Sequence, residues 1–410
     1  MAAMEQSWID DLAHERALLE RVDRAYLGGM EVVLRGAEAK VLAFARRHLR
    51  PLLTEQPVTR VGAPAPPCTI ALIYSDDLVD RAAADCLRHP LRRGPGGMEL
   101  RQVDLHDGRQ VLIDGAGGLI WCVDPDSREV ALIHASRAMW PALHLADTVR
   151  EVAVAYLEEQ GWTGFRACAV AAPDGVFLGI ADTGTGKTSM TAALLNVGCA
   201  FVADGHCYVR RVDDRLLALG LPQPVNIPLG VVRLHAGLKR VLLEGEAPIH
   251  PRQRLIRRRV AATAEDKWPD LPDELQLMPA EFSAAMGAPP PWQGGPVLGL
   301  VRPSVALRVG VPIMRALAVD EVRGLMDRTR IAKAPQDTSP PWLDLGFRPA
   351  AWDPTDILRL PAIEFAFHVT ENGIHGLPGP VEMLKRALDS VDRRGGLVGQ
   401  ALHRLDRKPS

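Results

Sequence analysis

The residues Ala181-Asp182-Thr183-Gly184-Thr185-Gly186-Lys187-Thr188 stand at the spacing of a Walker A phosphate loop, with alanine at the first glycine position. Gly184 and Gly186 let the backbone curl, so that successive N–H groups point inward at phosphate oxygens. A helix that starts at Lys187 adds the positive end of its dipole. Lys187 then reaches the β- and γ-phosphates, and the Thr188 hydroxyl is a ligand for Mg²⁺. Asp182, Thr183, Thr185 and Ser189 complete the cradle. Without an anion, a lysine in the first helical turn opposes the dipole, so its presence argues for a bound phosphate. Alanine at 181 is tolerated if the backbone there has negative φ, and costs about 1 kcal/mol if it does not.

Asp204 lies 17 residues beyond Lys187 in CAFVADG. At the end of a strand adjacent to the loop-bearing strand of a parallel sheet, its carboxylate opens onto the phosphate crevice. There it holds Mg²⁺ or accepts the proton of an attacking hydroxyl. The competing reading is a turn aspartate before Gly205. Arg166, in the apolar run FRACAV, cannot act as a base but can bind a phosphate or an acceptor. Its competing reading is a surface arginine paired with an acid.

The flanking pattern supplies the elements such a site requires. Phe165–Ala171 and Val176–Ile180 are apolar runs about the turn Pro173-Asp174-Gly175, which predicts paired strands. Lys187–Val197 is predicted helical, and CAFVAD (199–204) a strand. Further strands are expected at 68–74, 110–114, 118–123, 129–134, 297–309 and 363–369. Helices are expected at 76–89, 143–160, 320–330 and 380–391. Ile9, Leu12, Leu19, Val22, Tyr26, Val33, Val41, Phe44 and Leu52 recur at near-helical spacing. This predicts two helices across residues 1–55, broken at Gly28-Gly29, as a packed hairpin or a docking or dimerisation element. The Pro/Gly-rich stretch 56–67 marks a boundary. The expected organisation is a helical segment (1–62), a small α+β module (63–160), a nucleotide-binding domain (161–395) and a basic tail (396–410).

Composition narrows the classes. The 410 residues are 47% hydrophobic and 24% charged with a net charge of −2, as in an ordinary globular protein. No concentrated positive charge calls for nucleic acid, and no apolar run approaches the ~18–20 residues of a membrane span. The acidic start lacks the pattern of a secretion signal. The cysteines at 68, 86, 122, 168, 199 and 207 form no CxxC pair, which fits buried thiols in a cytoplasmic protein.

The strings ADTGTGKT and VADG resemble the G-D-S-G-x-G-K-S and V-A-D-D motifs of the HPr kinase/phosphorylase family. LGLPQPVNIPLG (219–230) and the block from 297 to 326 are similar to later segments of HPr-kinase-like proteins. The resemblance implies an α/β fold with a P-loop kinase core of the HPr-kinase/phosphoenolpyruvate-carboxykinase-like type. It implies ATP and Mg²⁺, with Lys187 on phosphates, Thr188 and Asp204 on the metal, and Asp204 as acid/base. Phosphoryl transfer to a serine or threonine hydroxyl of a peptide or protein is the implied reaction. Three positions depart from the family: Gly205 replaces the second aspartate, Arg166 an upstream histidine, and Ala181 the first loop glycine. They point to a divergent member and weigh against phosphorylase activity and against the bacterial phosphocarrier as substrate. A small-molecule kinase and a nucleotide-binding scaffold with lost chemistry are the alternatives.

Other residues invite functional readings. Arg252, Arg254, Arg257, Arg258 and Arg259 form a solvated helix face or turn, an anion clamp near the γ-phosphate, or a docking strip for an acidic peptide, and Lys267 is equally ambiguous. His206 is a candidate ligand that more simply faces away. Trp268, Trp292 and Trp342 read as packing residues or an adenine platform.

Overall fold

The computed structural model describes residues 11–58, 61–85, 91–93, 99–138, 140–245, 252–305, 312–331, 343–348, 350–351, 353–370, 373–374 and 379–394. The expected basic tail, Cys86 and Trp342 lie outside them. The architecture is mixed α/β, with a short helix at 11–17 (α1) leading into strand and helix modules. Two compact units divide the chain: Met1–Gly161 with Lys333–Ala350, and Trp162–Ala332 with Ala351–Ser410.

The first unit carries β1 (Arg21–Leu27), β2 (Met30–Gly36), α2 (Ala39–His48), β3 (Leu53–Thr54), β4 (Ala65–Tyr74) and α3 (Asp76–Asp85). It continues with β5 (Leu91–Arg93), β6 (Glu99–Asp104), β7 (Gln110–Asp114), β8 (Leu119–Asp124), β9 (Glu129–His134) and α4 (Pro141–Glu159). Its nine strands form one sheet in the order β3-β1-β2-β4-β9-β8-β7-β6-β5. The expected helices of residues 1–55 are corrected here. Among the described residues of this stretch only α1 and α2 are helical, and Arg21–Gly36 is a β-hairpin with Leu27 opposite Met30. Gly28-Gly29 is its two-residue loop, with Gly28 at φ +58, a conformation that glycine adopts freely and that suits a hairpin of this length. The boundary at 56–67 is corrected too, because β2 pairs in parallel with β4 across it. Residues 1–62 and 63–160 thus share one sheet.

The second unit holds β10 (Thr163–Ala172), β11 (Gly175–Ile180), α5 (Lys187–Leu195), β12 (Ala200–Val212), β13 (Arg215–Gly220) and β14 (Val225–Pro228). There follow α6 (Leu229–Leu234), α7 (Ala236–Glu244), α8 (Arg252–Ala261), a 3₁₀ turn (Glu265–Asp270), β15 (Glu274–Leu277), α9 (Pro279–Ala285) and β16 (Gly294–Val305). The last elements are β17 (Ile313–Ala316), α10 (Val319–Thr329), α11 (Thr355–Leu358), β18 (Ala362–Phe367), β19 (Val369–Thr370), β20 (Gly373–Ile374) and α12 (Pro380–Arg394). Its main sheet runs β11-β10-β12-β13-β16-β18-β17, and β11 also pairs with β16 in parallel. The strands around β10 are apolar on both sides, which is why their sequences read as continuous apolar runs. Cys168 and Val170 of β10 join Phe177, Met190, Leu194 and Leu384 in one core, against α5 and α12. Phe165, Ala167 and Ala169 join Leu178, Val322, Leu325 and Met326 in another, against α10. The alternation along β10 follows the period of two of a strand.

Candidate functional site

The strand β11 ends at Ile180, the loop 181–186 follows, and α5 starts at Lys187. Ala181 is buried and is not among the residues with positive φ, so alanine there carries no conformational penalty. Gly186 does require its lack of a side chain. It sits at φ +110, and a Cβ would stand 2.2 Å from Val305 Cγ2. The Val305 N–H donates to Thr185 O at 3.0 Å, so the end of β16 braces the loop from behind. Thr185 Oγ1 donates to Asp182 O at 2.9 Å. Lys187 Nζ donates to the carbonyls of Ala181 and Asp182, each at 2.8 Å. The ammonium is thereby held over the loop it would serve.

The register of β12 brings the acid to this loop, though not as the sequence suggested. The strand after the helix is not adjacent to β11: β10 lies between them and pairs antiparallel with both. Nor does Asp204 end its strand, since β12 runs on to Val212. What places it is cross-strand pairing. Asp204 lies opposite Cys168, and His206 opposite Arg166. Directly opposed residues point to the same face of a sheet, and Cys168 faces α5. Arg166, Asp204 and His206 therefore share the face that carries the start of α5. Thr188 Oγ1 donates to Asp204 Oδ2 at 2.8 Å. Protein atoms crowd that carboxylate although part of the residue lines a cavity. Burial raises its pKa from 3.8 to about 6, opposed by the Thr188 hydrogen bond and Lys187 and reinforced by the charge of Glu274.

A cavity of about 500 Å³ opens here. Its walls include Arg166, Thr183, Gly184, Gly186, Lys187, Thr188, Ser189 and Asp204. Of the predicted cradle residues, Asp182 and Thr185 brace the loop rather than line the cavity. Asp182 Oδ1 also lies 3.5 Å from Arg328 Nε on α10, both about half exposed. Arg166 is exposed and has no carboxylate partner among the described residues, so the paired-surface reading does not describe it. His206 lines the cavity as well. Among the described residues no three His, Cys, Asp or Glu side chains converge as a metal-binding group. A cation here would take Thr188 and Asp204 as its protein oxygens, in keeping with Mg²⁺, which keeps most of its shell for phosphates and water.

Sequence reasoning missed three further polar wall residues: Gln223, Asn226 and Glu274. The first two fall within the singled-out segment LGLPQPVNIPLG. Glu274 carries no local signal, being brought in by the pairing of β15 with β14, where it opposes Pro228. Gln223 explains the departure at Gly205. Its Nε2 donates to Asp204 O at 2.9 Å, and a Cβ on Gly205 would stand 2.0 Å from that nitrogen. The amide thus fills the space next to Asp204.

Other candidates have structural roles. Arg257 donates to the carbonyls of Leu242 and Gly245, and Arg259 pairs with Asp273 at 2.6 Å. Neither of these arginines, nor Arg258, Lys267, Trp268 or Trp292, lines the cavity. Trp268 is buried and donates to Thr263 O. Cys199 is a buried thiol whose pKa burial raises to about 11, and burial raises that of Cys207 further, which leaves both protonated and inert. No helix among the described residues is long and apolar enough to cross a membrane. No family model matches the chain, and no curated protein matches it significantly.

Proposed function

We propose that the second unit is a P-loop kinase core of the HPr-kinase-like type that transfers the γ-phosphoryl group of ATP to a hydroxyl of a peptide, protein or small molecule. The observation that supports this most is the 2.8 Å bond between the Thr188 hydroxyl and the Asp204 carboxylate, beside Lys187 and within one cavity with Arg166. The loop N–H groups and Lys187 bind and orient the phosphates. Mg²⁺, when held by Thr188 and Asp204, neutralises phosphate charge. Asp204 Oδ2 is engaged by Thr188, which leaves Oδ1 to receive the acceptor's proton. Without a cation, burial holds its pKa above the usual carboxylate range, at about 6, which makes it a stronger base than a free aspartate. The acceptor oxygen forms a bond to the γ-phosphorus, the bridging bond to the β-phosphate breaks, and ADP leaves. Arg166 adds positive charge where negative charge spreads in that transition.

The test is transfer of labelled γ-phosphate to candidate peptide and small-molecule hydroxyls. Asp204→Asn should keep nucleotide binding and lose transfer by about 10²-fold or more. Full activity in that variant would place the base elsewhere.

A further inference from the structure

The phosphate loop and the first turn of α5 supply only part of the cavity wall. Another part is the two-stranded ribbon of β14 and β15, which brings Asn226, Pro228 and Glu274 to it. The ribbon has two unlike faces. Val225, Ile227, Leu275 and Leu277 are buried in the core beneath it. Asn226, Pro228, Glu274 and Gln276 alternate with them and point the other way. Asn226 lies opposite Gln276, and Pro228 opposite Glu274. Gln276 Nε2 donates to Asn226 Oδ1 at 2.9 Å, which holds the Asn226 amide in place. Glu274 is at odds with a phosphate site. The groups assigned to the phosphates themselves are cations and N–H donors, whereas a carboxylate repels a polyphosphate. Its charge reaches Asp204, whose pKa it helps to raise, so it stands near the point where the attacking hydroxyl is held. Mg²⁺ does not require it. Thr188 and Asp204 already give that ion its protein oxygens, and phosphates and water fill the rest of its shell. What remains in the cavity to meet this carboxylate is the acceptor.

We infer that Glu274 selects an acceptor that carries a positive charge beside its hydroxyl, with the outward face of the β14 and β15 ribbon as the acceptor's subsite. The inference rests on the kinase reading of the loop and narrows its substrate to a class. That class has an amine or guanidinium within a few bonds of the hydroxyl, as in a serine or threonine next to lysine or arginine, or in an amino alcohol. Lys187 and Arg166 are matched to the transferring phosphate, which leaves Glu274 to the acceptor's cation. The same carboxylate works against acidic acceptors, because like charges brought together cost affinity for the wrong partner. Glu274 takes no part in the proton transfer; its effect is confined to which acceptor is chosen. The residue is exposed, so one such ion pair changes affinity by up to about fivefold. Attraction of a cationic acceptor and repulsion of an acidic one together give about tenfold.

Transfer of labelled γ-phosphate from Mg-ATP would be measured as kcat/KM with three peptides that differ only in the residues flanking one serine: lysine, alanine or glutamate. An amino alcohol would be compared with the diol of the same length, to separate a small-molecule acceptor from a peptide. The wild type should favour the lysine peptide over the glutamate peptide by about tenfold, or the amino alcohol over the diol by up to about fivefold. Glu274→Gln keeps the size of the side chain and leaves the backbone pairing of β14 with β15 alone. It should bring the lysine and alanine peptides, and the two small acceptors, within about twofold of each other. Glu274→Lys should reverse the order of the peptides. Calorimetry should show the Mg-ATP affinity of Glu274→Gln within about threefold of the wild type. A wild type that transfers equally to all acceptors, or that prefers the glutamate peptide, overturns the inference and leaves the kinase reading standing. So does a preference that survives Glu274→Gln. A larger loss of Mg-ATP affinity in Glu274→Gln makes Glu274 a ligand of the cation and overturns the inference too. Absence of transfer to every acceptor overturns the kinase reading and the subsite with it.

Discussion

Replacing Asp204 with asparagine should stabilise the ligand-free protein at neutral pH while removing its chemistry. Burial raises the pKa of this carboxyl from 3.8 to about 6, so the folded state holds its proton more tightly than the unfolded chain does. Between these two values the folded state binds more protons, and stability falls as pH rises. Below about pH 4 both states are protonated and there is no penalty; above about pH 6 the penalty is complete. A shift of this size corresponds to about 3 kcal/mol at ~1.36 kcal/mol per unit. Asparagine keeps an oxygen to accept the Thr188 hydroxyl and never ionises. Chemical and thermal unfolding of both proteins, without nucleotide, at pH 4.5 and pH 8 isolates the effect, because every other titrating group is common to the pair. At pH 8 the variant should be more stable by about 1–3 kcal/mol, which at ~2–4 °C per kcal/mol for a domain of this size raises its midpoint by several degrees. At pH 4.5 most of the gap should close. A variant less stable than the wild type at pH 8, or a gap that does not move with pH, would refute the reasoning.

Lys187→Ala should fold normally, because the ammonium bonds only to two carbonyls of its own loop; Mg-ATP affinity measured by calorimetry should fall about 100-fold or more, and an unchanged affinity would remove the phosphate loop from the account. Arg166→Ala should lower kcat at least tenfold with nucleotide affinity changed less than threefold. Stability should stay within about 0.5 kcal/mol, as expected for an exposed side chain with no carboxylate partner among the described residues; a kinetically silent variant would strike Arg166 from the site. Gly205→Asp should lose about 1–3 kcal/mol, since residue 205 sits at φ +111 and its Cβ would run into Gln223. Adding Gln223→Ser should recover part of that loss, and a single variant as stable as the wild type in urea would contradict this.

What was legible in the sequence was whatever depends on neighbours along the chain. The loop 181–188, its strand and its helix are one local unit, and their glycine, lysine and hydroxyl spacing encodes it directly. The meeting of Thr188 with Asp204 was also readable, although for a different reason than expected. The intervening β10 cannot be inferred from spacing, because a hairpin strand before the loop pairs equally well on either edge. Gln223 and Glu274 reach the cavity only through β13–β15, whose placement depends on pairings far apart in sequence. The N-terminal error has a different source. RVDRAYLGGMEVVLRG supports apolar spacings of three and four, but it also places β-branched residues on each side of Gly-Gly, a hairpin signal. The sheet decided between them, since β2 gains a partner in β4 that a helix could not use.

A kinase and a scaffold that merely holds a nucleotide place different demands on residue 204. Loop N–H groups and Lys187 suffice to bind phosphates. A scaffold that held the nucleotide without its cation would need no ionisable group behind Thr188. A scaffold would fold better with asparagine at 204, by the roughly 3 kcal/mol that the pKa shift represents. Strain of this kind, kept where the surrounding structure enforces it, is characteristic of sites that do chemistry. Gln223 fits that reading as well. By filling the position beside Asp204 and holding its carbonyl, it fixes the strand that carries the acid. One carboxylate with a pKa near neutrality is enough to orient and deprotonate a hydroxyl. Under both readings Asp204→Asn is more stable at neutral pH and keeps nucleotide, so the contrast lies in transfer: a kinase transfers phosphate as the wild type and loses that transfer with asparagine at 204, whereas a scaffold transfers none before or after the change.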